Sequence, residues 1–281
     1  VAIADTGEFN HLFSGEELVG ERHWTNFQPR IGIAYQISSN DVIRAGAGRF
    51  MARPGVSDNV FLGGNPPFQP MVSIATGQAD NPAGGNPSNF PQFFMTMDPV
   101  FKIPQSYMWN VYYERLLPHN VTASIGYVGR VGLYLERERN LNTLPVGTLH
   151  RPENAGINTN VLRPFKGFAQ IPMAENAGRS EYNGLQLELN RRFDRGLAFG
   201  IAYTYSSSYD NASDRRYRLL NPLDDSLDWG PSNFDTPHVL VINAIYELPF
   251  LRGSGGLRNA LLGGWTLTGV YQYQSGTPFH I

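Results

Sequence analysis

The chain has 281 residues, of which 41% are hydrophobic and 16% charged, with a formal net charge of -2 and no cysteine. No basic field is available for nucleic acid, and the missing cysteines exclude disulfide frameworks, thiol catalysis and Cys-bound zinc together. With 30 glycines, 20 prolines and 12% aromatics the composition favours strands and turns, and no run of about 18 apolar residues offers a membrane-spanning helix.

In chain order, the first predicted pair of strands covers residues 27–36 and 42–51 around a turn at about 37–41. On the second strand Arg44 shares a parity with Val42, Gly46 and Gly48, and Ile43, Ala45 and Ala47 hold the other. An arginine facing lipid near mid-membrane costs about 2 to 4 kcal/mol. Arg44 is therefore placed inward, which leaves Arg49 outward near an interface. A long connection, about 52–105, follows and is rich in turn residues such as Asn65, Pro66, Pro67, Asn81, Pro82 and Gly84. Its predicted character is a loop that could carry a ligand surface.

The second pair covers 106–116 and 121–135 around Leu117, Pro118, His119 and Asn120 (turn at about 117–120), and a connection of about 136–180 comes next. In the third pair Leu185, Leu187 and Leu189 alternate with Gln186, Glu188 and Asn190. After a turn at about 191–196, Leu197, Phe199, Ile201, Tyr203 and Tyr205 alternate with Ala198, Gly200, Ala202 and Thr204. Apolar side chains on one parity and polar or small ones on the other suit a wall between lipid and a wet lumen. The predicted lipid-facing residues are Leu185, Leu187, Leu189, Phe199, Ile201 and Tyr203. The predicted lumen-lining ones are Gln186, Glu188, Asn190, Asn110, Glu114, Gln272 and Gln274. A merely hydrated wall is the plainer role for the latter.

A third connection of about 207–235 leads to the last pair, 236–248 and 265–274, joined through about 249–263, where 257–262 could form one helical turn. Short and long connections thus alternate strictly, as in up-and-down barrels with short periplasmic turns and long extracellular loops. A compact soluble domain seldom carries several unstructured connections beyond about 15 residues. Trp109 and Tyr113 share a parity with Tyr107 and Val111, as do Trp265, Leu267, Tyr271 and Tyr273 on the last strand. Such aromatics suit interfacial girdles, the alternative being a core between two packed sheets. The fold class is therefore all-β: an antiparallel up-and-down transmembrane β-barrel segment of about eight strands. The chain, residues 1–281, is read as one partial barrel domain, an internal piece of a longer protein.

Catalytic patterns are absent. The six histidines show no metal-type spacing, Gly46 and Gly48 lack a third glycine in the dinucleotide pattern, and Gly-x-Ser-x-Gly does not occur. No catalytic residue, cofactor-binding residue or cofactor is assigned. Asp224, Asp225 and Asp228, with Asp210, Asp214 and Asp235 nearby, are a weak candidate for a loop ion such as calcium. A solvated acidic loop neutralised by Arg215, Arg216 and Arg218 is the preferred expectation.

The segment Ser180, Glu181, Tyr182, Asn183, Gly184, Leu185, Gln186, Leu187, then Asn190, Arg191, Arg192, Phe193 and Gly196, Leu197, Ala198, Phe199, resembles TonB-dependent outer-membrane receptors of the Oar-like kind. Phe234, Asp235, Thr236, Pro237, His238 with Tyr246, Glu247, Leu248, Pro249, Phe250 looks like a late-barrel strand of that family and its periplasmic turn. Leu262, Gly263, Gly264, Trp265 with Gln274, Ser275, Gly276, Thr277, Pro278, Phe279 looks like the strand that follows. The resemblance covers about 26–279 and implies part of a 22-stranded barrel in the bacterial outer membrane, surrounding a plug that this chain does not contain. It also implies outer-membrane lipid, a periplasmic energy-coupling protein and an unidentified extracellular substrate as partners.

Three functions compete: a transporter taking up a nutrient or oligomer, an outer-membrane adhesin or passive barrel displaying loops, and a secreted soluble β-sandwich enzyme.

Overall fold

The computed structural model describes residues 26–52, 64–65, 73–74, 78–82, 84, 87–88, 91–98, 102–249 and 263–279. Its strands are β1 (Arg30–Gln36), β2 (Asp41–Met51), the two-residue β3 (Ser73–Ile74), β4 (Pro87–Ser88) and β5 (Thr96–Met97), then β6 (Gln105–Leu117), β7 (Val121–Asn140), β8 (Pro172–Asp194), β9 (Leu197–Asp210), the short β10 (Gly230–Pro231), β11 (His238–Glu247) and β12 (Thr266–Gln274). Eight of them form one meander in the order β1-β2-β6-β7-β8-β9-β11-β12, with β5 attached to β8 and β10 to β9. Each neighbour along the meander is antiparallel. The sheet is open, with β1 and β12 as its edges.

Turn chemistry accounts for the tight connections. β8 runs to Asp194 and β9 begins at Leu197, so the turn predicted at 191–196 contracts to Arg195 and Gly196, both at positive φ (51° and 81°). Two consecutive left-handed residues match the right-handed twist of the flanking strands. A register irregularity between Arg191 and Asp194 precedes it. Pro118–Asn120 forms the turn between β6 and β7, with His119 and Asn120 at φ 64° and 58°. Between β1 and β2, Ser38 Oγ donates to Asp41 Oδ2 at 2.5 Å. The helical turn predicted at 257–262 lies outside the described residues.

Three strand lengths differ from the sequence reading. The connection predicted at 136–180 is only 141–171, because β7 continues to Asn140 and β8 starts at Pro172. β9 likewise continues to Asp210 instead of ending before Ser207. A spanning barrel strand needs about 9–11 residues, so β7, with 20, projects well beyond one side of the sheet. The projecting part, Glu136, Arg137, Glu138, Arg139, has no apolar alternation to betray it as strand. Strand pairing persists there because charge pairs replace the amphipathic pattern.

Directly opposed residues share a sheet face, so the registers trace each face across strands. One row reads Ile43, Tyr113, Ile125, Leu187, Tyr203, Leu240, Tyr273. The next reads Ala45, Val111, Tyr127, Leu185, Tyr205. On the opposite face the rows are Glu114, Ser124, Glu188, Ala202, Val241, Gln272 and Tyr112, Gly126, Gln186, Thr204, Val239, Gln274. Among the described residues the buried hydrophobic side chains are Ile171, Ala212 and Leu219, all outside the eight long strands. Ile33, Val111, Ile125, Leu187, Tyr205 and Tyr271 remain exposed on the apolar face. A water-soluble sheet covers such a face with another layer.

Close packing of the polar face depends on Gly126, which lies opposite Tyr112. A Cβ there would fall 2.1 Å from the Tyr112 ring, and the same tyrosine donates to Gln186 Oε1 at 2.5 Å. In the complete protein, Gly126→Val should displace the ring and destabilise the fold by about 1–3 kcal/mol. Gly32→Ala, where the nearest atom is 3.9 Å away, should change stability by less than about 0.5 kcal/mol. Denaturant titrations of refolding into vesicles measure both, and equal midpoints would show that the ring is not held there.

Candidate functional site

Every polar wall residue singled out from the sequence falls on one face. Asn110 and Glu114 come from β6, Gln186, Glu188 and Asn190 from β8, and Gln272 and Gln274 from β12. Glu114 forms an ion pair with Arg44 of β2. Tyr112 bridges over Gly126 to Gln186, so β6, β7 and β8 are tied by side chains as well as by backbone. Asn190 and Asn243 flank Gly200. Arg130 donates to Ser106 Oγ at 3.2 Å. Tyr112, Arg130, Tyr182 and Asn243 were missed in the sequence reading, although all continue the polar parity of their strands. On the apolar face Arg49 lies towards the long-connection end of β2. It reaches Gln105 Oε1 at 2.5 Å, and its guanidinium sits 5.9 Å from the Tyr107 ring centre.

The long connections converge on the projecting part of β7 and β8. Arg137, 1% exposed, donates to Glu175 at 2.8 Å and to Asp225 at 2.5 Å. Arg139 binds the other oxygen of Glu175 at 2.9 Å and the Pro222 carbonyl at 2.6 Å. Glu138 receives Arg218 at 3.5 Å, and its amide donates to the Tyr217 carbonyl at 3.0 Å. Three residues of β7 thereby anchor the segment 217–225, and Glu175 of β8 holds the two arginines in place. The preceding connection is pinned by Asn142, which is fully buried. Its Nδ2 donates to the carbonyls of Phe165, Phe168 and Ala169, and its Oδ1 accepts from Phe165 N at 2.8 Å. β5 adds in parallel beside Met173 and Ala174, so parts of all three connections meet here.

The aspartates of residues 211–237 act structurally. Asp224 caps Ser226 N at 3.1 Å, Asp225 takes Arg137, and buried Asp228 accepts from Leu220 N at 3.0 Å. Asp235 accepts from Ser208 N at 2.8 Å. Within the expected neutralisation of the connection, Arg218 pairs instead with Glu138, and the cations on Asp225 come from β7. Strands supply better counter-ions than loop neighbours because their side chains are already fixed in place. No group of three or more metal-type ligands occurs among the described residues. The hydrogen bond from Arg137 holds the Asp225 carboxyl below the usual aspartate range, with the charge of Arg139 adding to it. Glu175 raises Arg139.

A cavity of about 580 Å³ lies between the polar face and the segment 210–215. Its floor is one cross-strand row, Met108, Arg130, Tyr182 and Ser208. Asp210, Ala212, Ser213, Asp214, Arg215 and Phe234 close it from the connection side. The connection side is tied together where Ser213 Oγ donates to Asp210 at 2.9 Å and accepts from Asn233 N at 2.9 Å, and it is joined to the floor where Ser208 Oγ meets Ser232 Oγ at 2.9 Å.

A family model described as outer membrane beta barrel domain matches residues 3–281. Among solved structures, the outer membrane transporter YddB from Escherichia coli aligns over 88% of this chain and 33% of its own, at a TM-score of 0.51 and 13% identity. The FrpB iron transporter from Neisseria meningitidis aligns over 80% and 25%, at 0.44 and 12%. The alcaligin outer membrane receptor FauA from Bordetella pertussis aligns over 89% and 29%, at 0.41 and 14%. The chain thus spans about a third or less of the length of these structures. No curated protein matches it by sequence.

Removing one partner of a buried ion pair costs about 3–5 kcal/mol, so Arg137→Met should free 217–225 from the strands. Trypsin should then cleave at Arg215, Arg216 or Arg218 in the folded complete protein, where the parent resists. Acid should act similarly through Asp225. Its folded pKa is depressed, so its contribution is complete above the ordinary aspartate value of about 3.9 and is lost as pH falls through the lowered one. Pepsin cleavage within 211–237 should rise steeply only at that lower pH, and Asp225→Asn should abolish the step. An unchanged step in the variant would transfer it to another carboxylate.

Proposed function

The chain belongs to the family of outer membrane β-barrel domains and resides in the bacterial outer membrane, and on that premise we propose that it forms part of the wall and mouth of a TonB-dependent transporter. Leu185, Leu187, Leu189, Phe199, Ile201 and Tyr203 face lipid in this reading. Asn110, Glu114, Gln186, Glu188, Asn190, Gln272 and Gln274 face the lumen. Strands flanking β1 and β12 complete the barrel, a plug fills it, and an energy-coupling protein in the periplasm drives release of a nutrient or oligomer. The long connections are extracellular and select the substrate.

The observation that carries this reading is the pairing of an uncovered apolar face with a polar face whose side chains are cross-linked. A lumen needs ordered, hydrated groups, and lipid needs none. A passive barrel or adhesin is the second reading. It is favoured by exposed Leu149, Val161, Phe165, Leu220, Leu223 and Leu227 on the connections, since large exposed apolar side chains mark protein contacts. The two differ in energy coupling. Deleting the complete gene should abolish uptake of a nutrient, and a protonophore should do the same in the parent strain. Loss of attachment with uptake unchanged would support the adhesin instead.

The face assignment has its own test. Leu187→Arg, if near mid-membrane, should lower folded stability of the complete barrel by about 2 to 4 kcal/mol, and Glu188→Arg much less. A lipid-refolding titration reads both, and equal effects would overturn the assignment.

A further inference from the structure

We propose that the β8–β9 turn binds the headgroup of an anionic phospholipid, which places this end of the sheet in the phospholipid leaflet; this rests on the lipid-facing assignment of the apolar face. The registers end the apolar rows at that turn. Ala123, Leu189 and Ile201 form one row, and the next towards the turn is Val121, Arg191 and Phe199. Arg191 therefore stands on the apolar face immediately beyond Leu185, Leu187 and Leu189 of the same strand. The irregularity between Arg191 and Asp194 then leaves Arg192 and Phe193 opposite the single residue Ala198, and Arg195 and Gly196 reverse the chain.

The turn carries three arginines, Arg191, Arg192 and Arg195, and one acid, Asp194. Among the described residues none of the three forms an ion pair. Arg191 Nη2 donates to the Asp194 carbonyl at 3.4 Å, and Arg192 and Arg195 are exposed. Glu247 is a further acid at this end, its amide donating to the Gly196 carbonyl at 2.7 Å. With Glu247 counted, the three cations still outnumber the two acids. Arg115, on the same face in the row of Leu189, differs because Asp41 answers it at 3.7 Å. An arginine on a lipid-facing strand is costly at mid-membrane and tolerated near the interface, where its apolar stem lies along hydrocarbon and its head reaches the phosphates. Aromatic side chains favour the same level. Phe193 is 53% exposed, and Trp265, 57% exposed, precedes β12 where Thr266 pairs with Glu247. Guanidinium N–H groups match phosphate oxygens in a two-pronged fit. A zwitterionic lipid offers that phosphate together with a cation of its own, so the positive excess selects a headgroup of net negative charge.

The test uses the complete protein refolded in detergent, with folding of every variant checked by heat-modifiable gel migration and bound lipid measured by native mass spectrometry. Dioleoylphosphatidylglycerol and dioleoylphosphatidylcholine share their tails and differ in headgroup charge. The first should bind at least about fivefold tighter, the effect of one basic residue at an anionic surface. Arg191→Gln, Arg192→Gln and Arg195→Gln together should remove most of that preference. Arg115→Gln, whose charge Asp41 already answers, should leave it within about twofold. If the triple variant does not fold, Arg192→Glu at an exposed position should by itself abolish the preference. Equal binding of the two lipids, a preference indifferent to the three arginines, or an equal loss in Arg115→Gln would overturn the inference. Tighter binding of lipid A through the same arginines would also overturn it, by moving the turn to the other leaflet. If Leu187→Arg and Glu188→Arg differ as stated above while the lipid preference ignores the arginines, the face assignment stands and the headgroup site is refuted.

Discussion

A strand in hydrocarbon has no water to bond its amides and carbonyls, so each must be matched to a neighbouring strand. The rest of the structure depends on that constraint. It sets continuous registers from β1 to β12 through six intervening strands, and continuous registers put like parities on one face. Once Leu187 is fixed on a face, Ile125 and Tyr203 are fixed beside it, and Glu188 is fixed opposite with Ser124 and Ala202. The amphipathic pattern of one hairpin therefore extends across the sheet without any apolar core to organise it. This is why, among the described residues, few hydrophobic side chains are buried and why those few belong to the connections.

The same reasoning explains what could be read before the structure was known. Period-two alternation located the eight long strands, since each alternation states a face as well as a conformation. It placed Arg44 with the polar parity, where it meets Glu114. Alternation stops at the edge of the membrane, however, because beyond it both faces of a strand meet water or protein. Glu136 to Arg139 and Pro172 to Glu175 are strand without that signature, and the strand ends were misplaced there. That the polar residues share one face was legible in the sequence, but their ties were not. Tyr112 reaches Gln186 across an intervening strand only because Gly126 leaves the space, a relation that needs two registers at once.

The connection anchors were illegible for a related reason. Arg137 meets partners 38 and 88 positions away in sequence, and charge spacing within a loop carries no information about a distant strand. The plausible local partners of Asp225 were the arginines that follow Tyr209 by a few residues. The strand arginines prevail because their backbone is already ordered, so pairing with them fixes fewer side-chain torsions. The same logic assigns Asn142 its role. One buried amide collecting three carbonyls closes a connection of some thirty residues more firmly than exposed pairs could, since buried hydrogen bonds lack competition from water.

A projecting β7–β8 ribbon thus gives the long connections a rigid surface to bind. The consequence for recognition is energetic. Loops that order only on binding spend part of their interaction on lost conformational freedom, whereas segments fastened by Arg137, Asn142 and Asp235 present their side chains already placed. Phe234 lies next to Asp235, and Asp214 next to Ser213, so both cavity residues are held in place by hydrogen-bonded neighbours. In the proposed transporter, selectivity would then follow from the shape and charge of fixed groups, and a substitution in the anchors would alter it without touching the cavity.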